Sequence, residues 1–497
     1  MEFLRNFPCF SLILTMCASI VSSGMNGKWA RRLNIVVILA VGLLSSAALY
    51  LTVTTNQCYV YKMGRFPAPW GNEIRFGVLE TLMALFFSII MLLSVLGGRK
   101  HLFEELDPFK ENLYYVLVNL LMSSLLALIY TNDLFTAYVF VEINTISACG
   151  LIMIRESGHT LEAATRYMIM SLIGSGLLLF GLCILYGITG HLLMSNIKEQ
   201  VALLVATDQY HIPLVVAIVF IVVGLAVKSA LFPFHSWLPD SYGYSTASSA
   251  AILSSLVSKG YIFLLIKVFY RVIGFEIITE SKILNVLFVF GLCGMIFGSL
   301  SAIKENDIRR MIAFSSVAQI GYIYMGFGLR TEAGIIASVF HIFSHAASKS
   351  MLFISAVGLT DVSGKSKKFL DLTGAGYRNV IAGITFTVGA LSMVGVPLFP
   401  GFISKILFAR AGVSVPLNRM LPTLICLAVS TILNTVYFMK TVLRIYTPVK
   451  TDYICIKWKE NLCCGIVCIF FIILNIALGM YSEPIVELIS RGIAMFA

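Results

Sequence analysis

Apolar stretches of about 20 residues, the length needed to cross roughly 30 Å of hydrocarbon, recur along the chain from one end to the other. They fall at 7–23, 33–53, 74–97, 113–130, 134–154, 167–187, 211–231, 246–270, 284–303, 309–328, 332–358, 380–412, 421–440 and 462–481. This pattern predicts an all-α, polytopic membrane protein of about 14 transmembrane helices. The twelfth window is long because it is interrupted. Leu398-Phe-Pro-Gly-Phe402 lies within it, and Leu231-Phe-Pro-Phe-His235 closes the seventh; the shared Leu-Phe-Pro cores stand 167 residues apart. Paired, proline-broken helices at corresponding positions point to inverted repeats with an ion site near the bilayer midplane. The predicted division is therefore N-terminal helices over 1–110, a first five-helix repeat over 111–275, an inverted second repeat over 284–445 and a C-terminal helix over 446–497. An odd number of spans per unit gives the two units opposite orientation. The helix breaks are expected near Pro233 and Pro400.

Composition excludes a soluble domain: 58% of the 497 residues are hydrophobic, 12% are charged and the mean hydropathy is +0.90. The first window also has the look of a cleaved signal peptide, with Arg5 ahead of it and small residues at its end. Met16 is too large for the lipoprotein-type cleavage box it grazes, and the window is read as a span. The cysteines mostly lie in apolar windows, as Cys183, Cys293 and Cys426 do, and are read as small hydrophobes. Cys463, Cys464 and Cys468 lack nearby histidines, so no metal or cofactor is expected.

The net charge of +11 reads as membrane topology and not as nucleic-acid binding. Lysines and arginines concentrate in the connections on one side, among them Arg31, Arg99, Lys100, Arg155, Arg309, Arg310, Lys367, Lys450, Lys457 and Lys459. That side is expected to be cytoplasmic, with both termini outside. Lys228, Lys259, Lys349 and Lys405 belong to neither side, because they fall within spanning windows. A basic residue at membrane depth costs at least about 2.5–3.5 kcal/mol on insertion scales, so it normally faces protein or water and marks an ion path. The competing reading is that one or two of them snorkel to the interface.

Glu142 lies well inside the fifth window and is the one acidic residue read at such depth. Neither a carboxylate nor an ammonium is tolerated alone there, and pairing Glu142 with Lys228 relieves both. At about 4 Å and an effective dielectric of about 20 their attraction is about 4 kcal/mol. A change in that separation would alter the hold of Lys228 on its proton; a permanent ion pair joining two helices is the alternative. In the eleventh window His341, His345 and Lys349 recur at a spacing of four and share one helix face. A proton relay is the leading reading, ahead of interhelical hydrogen bonding and of metal ligation by the histidine pair.

Several segments together resemble a known family. They are Asp133 through Glu142, Leu161-Glu-Ala-Ala-Thr-Arg-Tyr167, Lys228 through Ser241, Asp307 through Ser316 with Gln319 and Gly321, and His341 through Leu352. They look like the antiporter-like subunits shared by Mrp-type sodium/proton antiporters, respiratory complex I and membrane-bound hydrogenases. The likeness covers roughly residues 70 to 440. The chain length and the Trp-Gly after Pro67-Ala-Pro69 look most like the Mrp D subunit, whereas His235-Ser-Trp-Leu-Pro-Asp240 looks closer to the complex I form. No long amphipathic helix follows the last span, unlike the largest distal subunit of this type.

The resemblance implies an ion pair of Glu142 with Lys228, Lys259 as the link between half-channels, His341, His345 and Lys349 as central relay, and Lys405 on the exit path. Accessory candidates are His235, Asp240 and Asp133. The implied role is proton translocation, with sodium as a second candidate ion, by one subunit of a multi-subunit complex in a prokaryotic cell membrane. Its partners would be other integral subunits, further antiporter-like chains included, and the bilayer, with no nucleic acid. A complex I-like dehydrogenase or hydrogenase is the alternative assembly, and a stand-alone carrier of an organic solute is a third reading. No nucleotide or flavin motif is present, so redox chemistry is expected to belong to partners.

Overall fold

The computed structural model describes residues 2–66, 71–448 and 462–496. Pro67-Ala-Pro69, Trp70 and the basic residues Lys450, Lys457 and Lys459 lie outside the described residues. The chain begins with α1 (Phe7–Ser23) and α2 (Gly27–Thr55) and then forms a small antiparallel hairpin, β1 (Tyr59–Lys62) with β2 (Glu73–Phe76). Next come α3 (Val78–Gly97), the short α4 (Arg99–Glu105), α5 (Glu111–Tyr130), α6 (Leu134–Met153), α7 (Gly158–Thr189) and α8 (Met194–Ala206). The seventh crossing consists of α9 (His211–Lys228) and α10 (Leu238–Tyr244). It is followed by α11 (Ala247–Ile273), the short α12 (Phe275–Glu280), α13 (Ile283–Lys304), α14 (Ile308–Gly328) and α15 (Glu332–Asp361). After the short α16 (Ala375–Arg378), the twelfth crossing is α17 (Val380–Val394) with α18 (Pro400–Val413). The chain closes with α19 (Leu417–Ile445), α20 (Leu462–Met480) and α21 (Ser482–Ala494). Among the described residues, thirteen helices are long and apolar enough to span a membrane, and the broken pair α17 and α18 makes a fourteenth crossing.

Both breaks fall where the Leu-Phe-Pro cores place them. The helix ends at Lys228 and resumes at Leu238, with Pro233 between. In the twelfth crossing α17 ends at Val394, Gly395 turns the chain at φ +90°, and Pro400 is the first residue of α18. Proline suits that position because the N–H it lacks would have no partner in the first helical turn. Helix starts elsewhere are set by side-chain caps: Asp133 accepts from Thr136 N at 2.6 Å, and Asp307 from Arg309 N at 2.7 Å.

Burial sorts the helices. The spanning windows of α11 and α15 are wholly buried and that of α14 nearly so, whereas α2, α7, α19 and α20 leave most of theirs on the outer face. A helix enclosed on every side has no lipid to face, so its polar residues must be satisfied by neighbouring helices. The residues singled out as relay groups lie on these enclosed helices. Close backbone approach seats α9 on α7: a Cβ added at Gly224 of α9 would sit 2.6 Å from the Gly174 carbonyl oxygen of α7.

The structure corrects the inventory of buried charge. The charge pattern along the chain assigns Lys267 and Arg271 to the outer connections and makes Glu142 the one deep carboxylate. In the structure Lys267, Arg271 and Glu80 are all essentially inaccessible. Arg271 donates to Glu80 Oε1 and lies 4.0 Å from the Phe496 ring centroid, while Arg75 donates to the Met495 carbonyl at 2.9 Å. For Arg271 and its partner the cause is α21, a short helix with no counterpart among the sequence windows, which folds back along α3 and brings Phe496 over Arg271; Lys267 is taken up by the carbonyls at the end of α5. Replacing Arg271 by Ala should strand the Glu80 carboxylate and cost about 3–5 kcal/mol, read as a lowered Tm in detergent. The paired change Glu80→Leu with Arg271→Met should recover most of that loss, since it removes both charges.

Candidate functional site

The site starts at the pair on α6 and α9. Lys228 is the last residue of α9 and its side chain is sealed from solvent; Glu142 retains 25% side-chain exposure on the flank of the bundle. Their charged atoms are 4.0 Å apart, at the limit of an ion pair. The direct hydrogen bond from Lys228 Nζ goes instead to Thr145 Oγ1 at 2.7 Å, and the Tyr261 ring lies 5.5 Å away. Tyr261 OH in turn donates to Asn144 Oδ1 at 3.0 Å. Thr145 and Asn144 escaped the sequence reading although they follow Glu142 within one turn, because a threonine or asparagine inside an apolar run usually satisfies itself on its own helix.

On α11, Lys259 is fully buried. The helix widens into a π-turn over Leu253–Val257, which loosens the normal pairing of backbone carbonyls. The Ser254 carbonyl accepts from Lys259 Nζ, and Ser258 Oγ lies 3.2 Å from it. Lys259 also interacts electrostatically with His341, His345 and Lys349, so α11 and α15 carry one shared cluster of basic groups.

The three α15 residues lie along one buried face. His341 and His345 stack with ring centroids 6.0 Å apart, and His341 also stacks on Tyr322 at 5.5 Å. His341 Nδ1 is 3.1 Å from Ser404 Oγ of α18. Lys349 Nζ donates to the Ile312 carbonyl at 2.7 Å and to Ser315 Oγ, both on α14. Both ring nitrogens of His345, Nε2 of His341, Nε2 of Gln319 and the Tyr322 hydroxyl are buried without a protein hydrogen-bond partner. Such a concentration of unpaired polar atoms calls for water, because buried polar groups are normally satisfied.

Lys405 ends the series. Its Nζ donates to the Val394 carbonyl at 2.5 Å, the C-terminal residue of α17. A Cβ at Gly395 would come within 3.2 Å of that nitrogen, so glycine serves both the left-handed turn and the space for the ammonium.

The accessory candidates lie apart from this series. Asp133 caps α6. Asp240 bridges Arg166 at 2.8 Å and Arg310 at 2.5 Å, clamping α7, α10 and α14 together at one end of the bundle. His235 stands in the α9–α10 break and stacks on Phe232 at 5.3 Å. Among the described residues no cluster of His, Cys, Asp and Glu has the arrangement to hold a metal.

A bundle of broken and enclosed helices threaded by titratable side chains is the architecture of a membrane ion-translocating subunit. A family model described as NADH:quinone oxidoreductase/Mrp antiporter, TM, matches residues 131–433, and the chain belongs to that family. The matched segment contains every residue of the series from Glu142 to Lys405. The N subunit of a NADH-quinone oxidoreductase from Desulforudis audaxviator is 32% identical over 82% of this chain and 79% of its own length. The D subunit of a Na(+)/H(+) antiporter from Alkalihalophilus pseudofirmus is 28% identical, covering 73% of this chain and 71% of that protein. Among solved structures, a chain of the archaeal membrane-bound sulfane sulfur reductase superposes with a TM-score of 0.87 at 25% identity, covering 100% of this chain and 97% of that one.

The tight fit at Gly395 gives a test of the second break. Gly395→Ala should impose a strained backbone of about 1–3 kcal/mol and push the Lys405 ammonium off its carbonyl, lowering both Tm and ion flux. Gly158→Ala, where the added methyl meets open space, should leave both unchanged.

Proposed function

We propose that this chain conducts protons within a multi-subunit membrane complex, and that the complex is a Na+/H+ antiporter of the Mrp type in which this chain takes the D position. The observation that carries the reading is the line of buried basic groups from Lys228 through Lys259, Lys349, His345 and His341 to Lys405, fronted by one partly exposed carboxylate, Glu142. Unpaired polar atoms beside the histidines give water places to complete the path. The likeness to the D component of an antiporter supports the choice of complex. In this reading the protein lies in a prokaryotic cell membrane with both termini outside, and further antiporter-like subunits flank it.

A second reading has its own support. The relative from a NADH-quinone oxidoreductase is more similar in sequence than the one from the antiporter, and the superposed structure comes from a respiratory complex. The chain would then pump protons for a dehydrogenase-type assembly whose redox centres lie in other subunits. Purifying the intact complex and identifying its subunits separates the two assemblies.

The role of the first pair is tested in proteoliposomes carrying the assembled complex. Glu142→Gln should abolish proton flux with little loss of assembly, because it removes the charge and keeps the shape. Lys228→Ala should abolish flux and also reduce complex yield, since Glu142 and Thr145 lose the group they face. Normal flux in either assembled variant would remove the pair from the mechanism.

The relay is tested by freezing charge. Lys349→Arg and Lys405→Arg keep a cation at each position, but a guanidinium does not release its proton under these conditions. Assembly should survive while flux falls to background, as measured with a pH-sensitive dye inside the vesicles. Wild-type rates in both variants would show that these lysines supply electrostatic bias only.

A further inference from the structure

Outside the titratable series, a groove of about 740 Å³ opens between α3 and α20. Its walls are apolar: Ile89, Leu92 and Leu93 on one side and Ile466, Phe470 and Ile473 on the other. At the α3 C-terminus it runs into a second cavity of about 260 Å³ that shares Leu96, Leu462 and Cys463 with it but is lined by Arg99, Lys100 and Phe103. Both cations are exposed. Among the described residues Arg99 makes no ion pair. Lys100 is 3.9 Å from Glu104, a carboxylate that Lys365 already holds at 3.1 Å. The neighbouring carboxylates are likewise occupied, Asp361 by His101 at 2.5 Å and Glu111 by Arg31 at 3.5 Å.

We propose that this continuous cleft is a binding site for one anionic phospholipid, with an acyl chain along the α3–α20 groove and the phosphate on Arg99 and Lys100. The chemistry of the two compartments matches the two parts of such a molecule: an apolar slot of ligand-pocket size at spanning depth, then two cations at the helix end. A cleft lined only by apolar groups would accept any acyl chain, and the two cations select the headgroup charge. A basic pocket between helices on the side with most of the positive charge is where anionic lipid is concentrated. Occupancy would matter to the titratable series because the opposite face of α20 carries Asn475, whose Oδ1 accepts from Ser348 Oγ at 2.9 Å beside Lys349. The lipid thus holds in place a helix that packs on α15.

The test uses the full-length chain in its complex, reconstituted in phosphatidylcholine with graded phosphatidylglycerol and read by native mass spectrometry for retained lipid. One phosphatidylglycerol should be retained per chain, and Arg99→Gln with Lys100→Gln should weaken retention roughly tenfold or more. Ile466→Trp, which fills the groove and leaves both cations, should weaken it as well, whereas Arg99→Lys should preserve it. Both glutamine substitutions are at exposed positions, so that variant should melt like the wild type in pure phosphatidylcholine. The proposal is overturned if retention survives loss of both cations, if filling the groove has no effect, if inorganic phosphate displaces the lipid as well as phosphatidylglycerol does, or if Cys463 crosslinks to a helix of another subunit seated in the groove.

Discussion

The fold turns on how a bundle of apolar helices accommodates ammonium groups without an equal number of carboxylates. The answer is the backbone carbonyl. Lys405 rests on the Val394 oxygen at the end of α17, Lys259 on the Ser254 oxygen of a π-turn, Lys349 on the Ile312 oxygen of α14, and Lys267 on those of Leu128, Ile129 and Thr131 at the end of α5. Helix ends supply such oxygens because the last carbonyls of a helix have no partner within it, and they carry the negative end of the helix dipole. Lys405 at the second break and Lys259 at the first of the two π-turns of α11 are thus housed at irregularities of the bundle, whereas Lys267 uses the end of α5 and Lys349 a carbonyl in the first turns of the unbroken α14. Irregular backbone at membrane depth is tolerated only where protein or water satisfies it, and Lys405 and Lys259 each satisfy the irregularity beside them.

A neutral acceptor differs in consequence from a carboxylate. A buried lysine paired to a carboxylate is held charged, and separating them strands two ions. A lysine on a carbonyl can become neutral and leave behind a backbone group that water can satisfy. The one carboxylate of the series, Glu142, sits 4.0 Å from its lysine and not at hydrogen-bond distance, with Thr145 in direct contact instead. By contrast Arg271 and Glu80 are in direct contact beneath α21, and that pair reads as a structural bolt. The same residue chemistry thus divides into a loose pair within the series and a tight pair beside it.

The helical spans and both breaks were legible in the sequence because twenty-residue apolar runs and Leu-Phe-Pro interruptions are local signals. Glu142, Lys228, Lys259 and the α15 stripe stood out because a charge or a histidine amid apolar residues is conspicuous without any knowledge of neighbours. What could not be read was coverage. Lys267, Arg271 and Glu80 lie near helix ends, where a charge ordinarily meets water; the end of α5 receives Lys267, and α21 returns over the Arg271–Glu80 pair. The hydroxyl and carbonyl partners were equally hidden, since Thr145, Ser254 and Ser315 look like ordinary small polar residues until another helix is placed against them. Asp240 and Asp133, acidic residues near the motifs, sit in an ion-pair clamp and a helix cap that the sequence did not reveal.

Lys259 interacts electrostatically with both histidines and with Lys349, and Lys405 interacts with His341. Two like charges about 8 Å apart at an effective dielectric of about 20 repel by about 2 kcal/mol, so the sites cannot all be protonated at once without a large penalty. On the proposed function, protonation at one site therefore disfavours protonation at the next. No carboxylate inside the cluster can shift that balance. On the proposed function Glu142 can, from the flank, because it is the carboxylate of the series and is partly exposed. On the proposed function, whatever lies against that flank acts on the line through a single separation, that between Glu142 and Lys228.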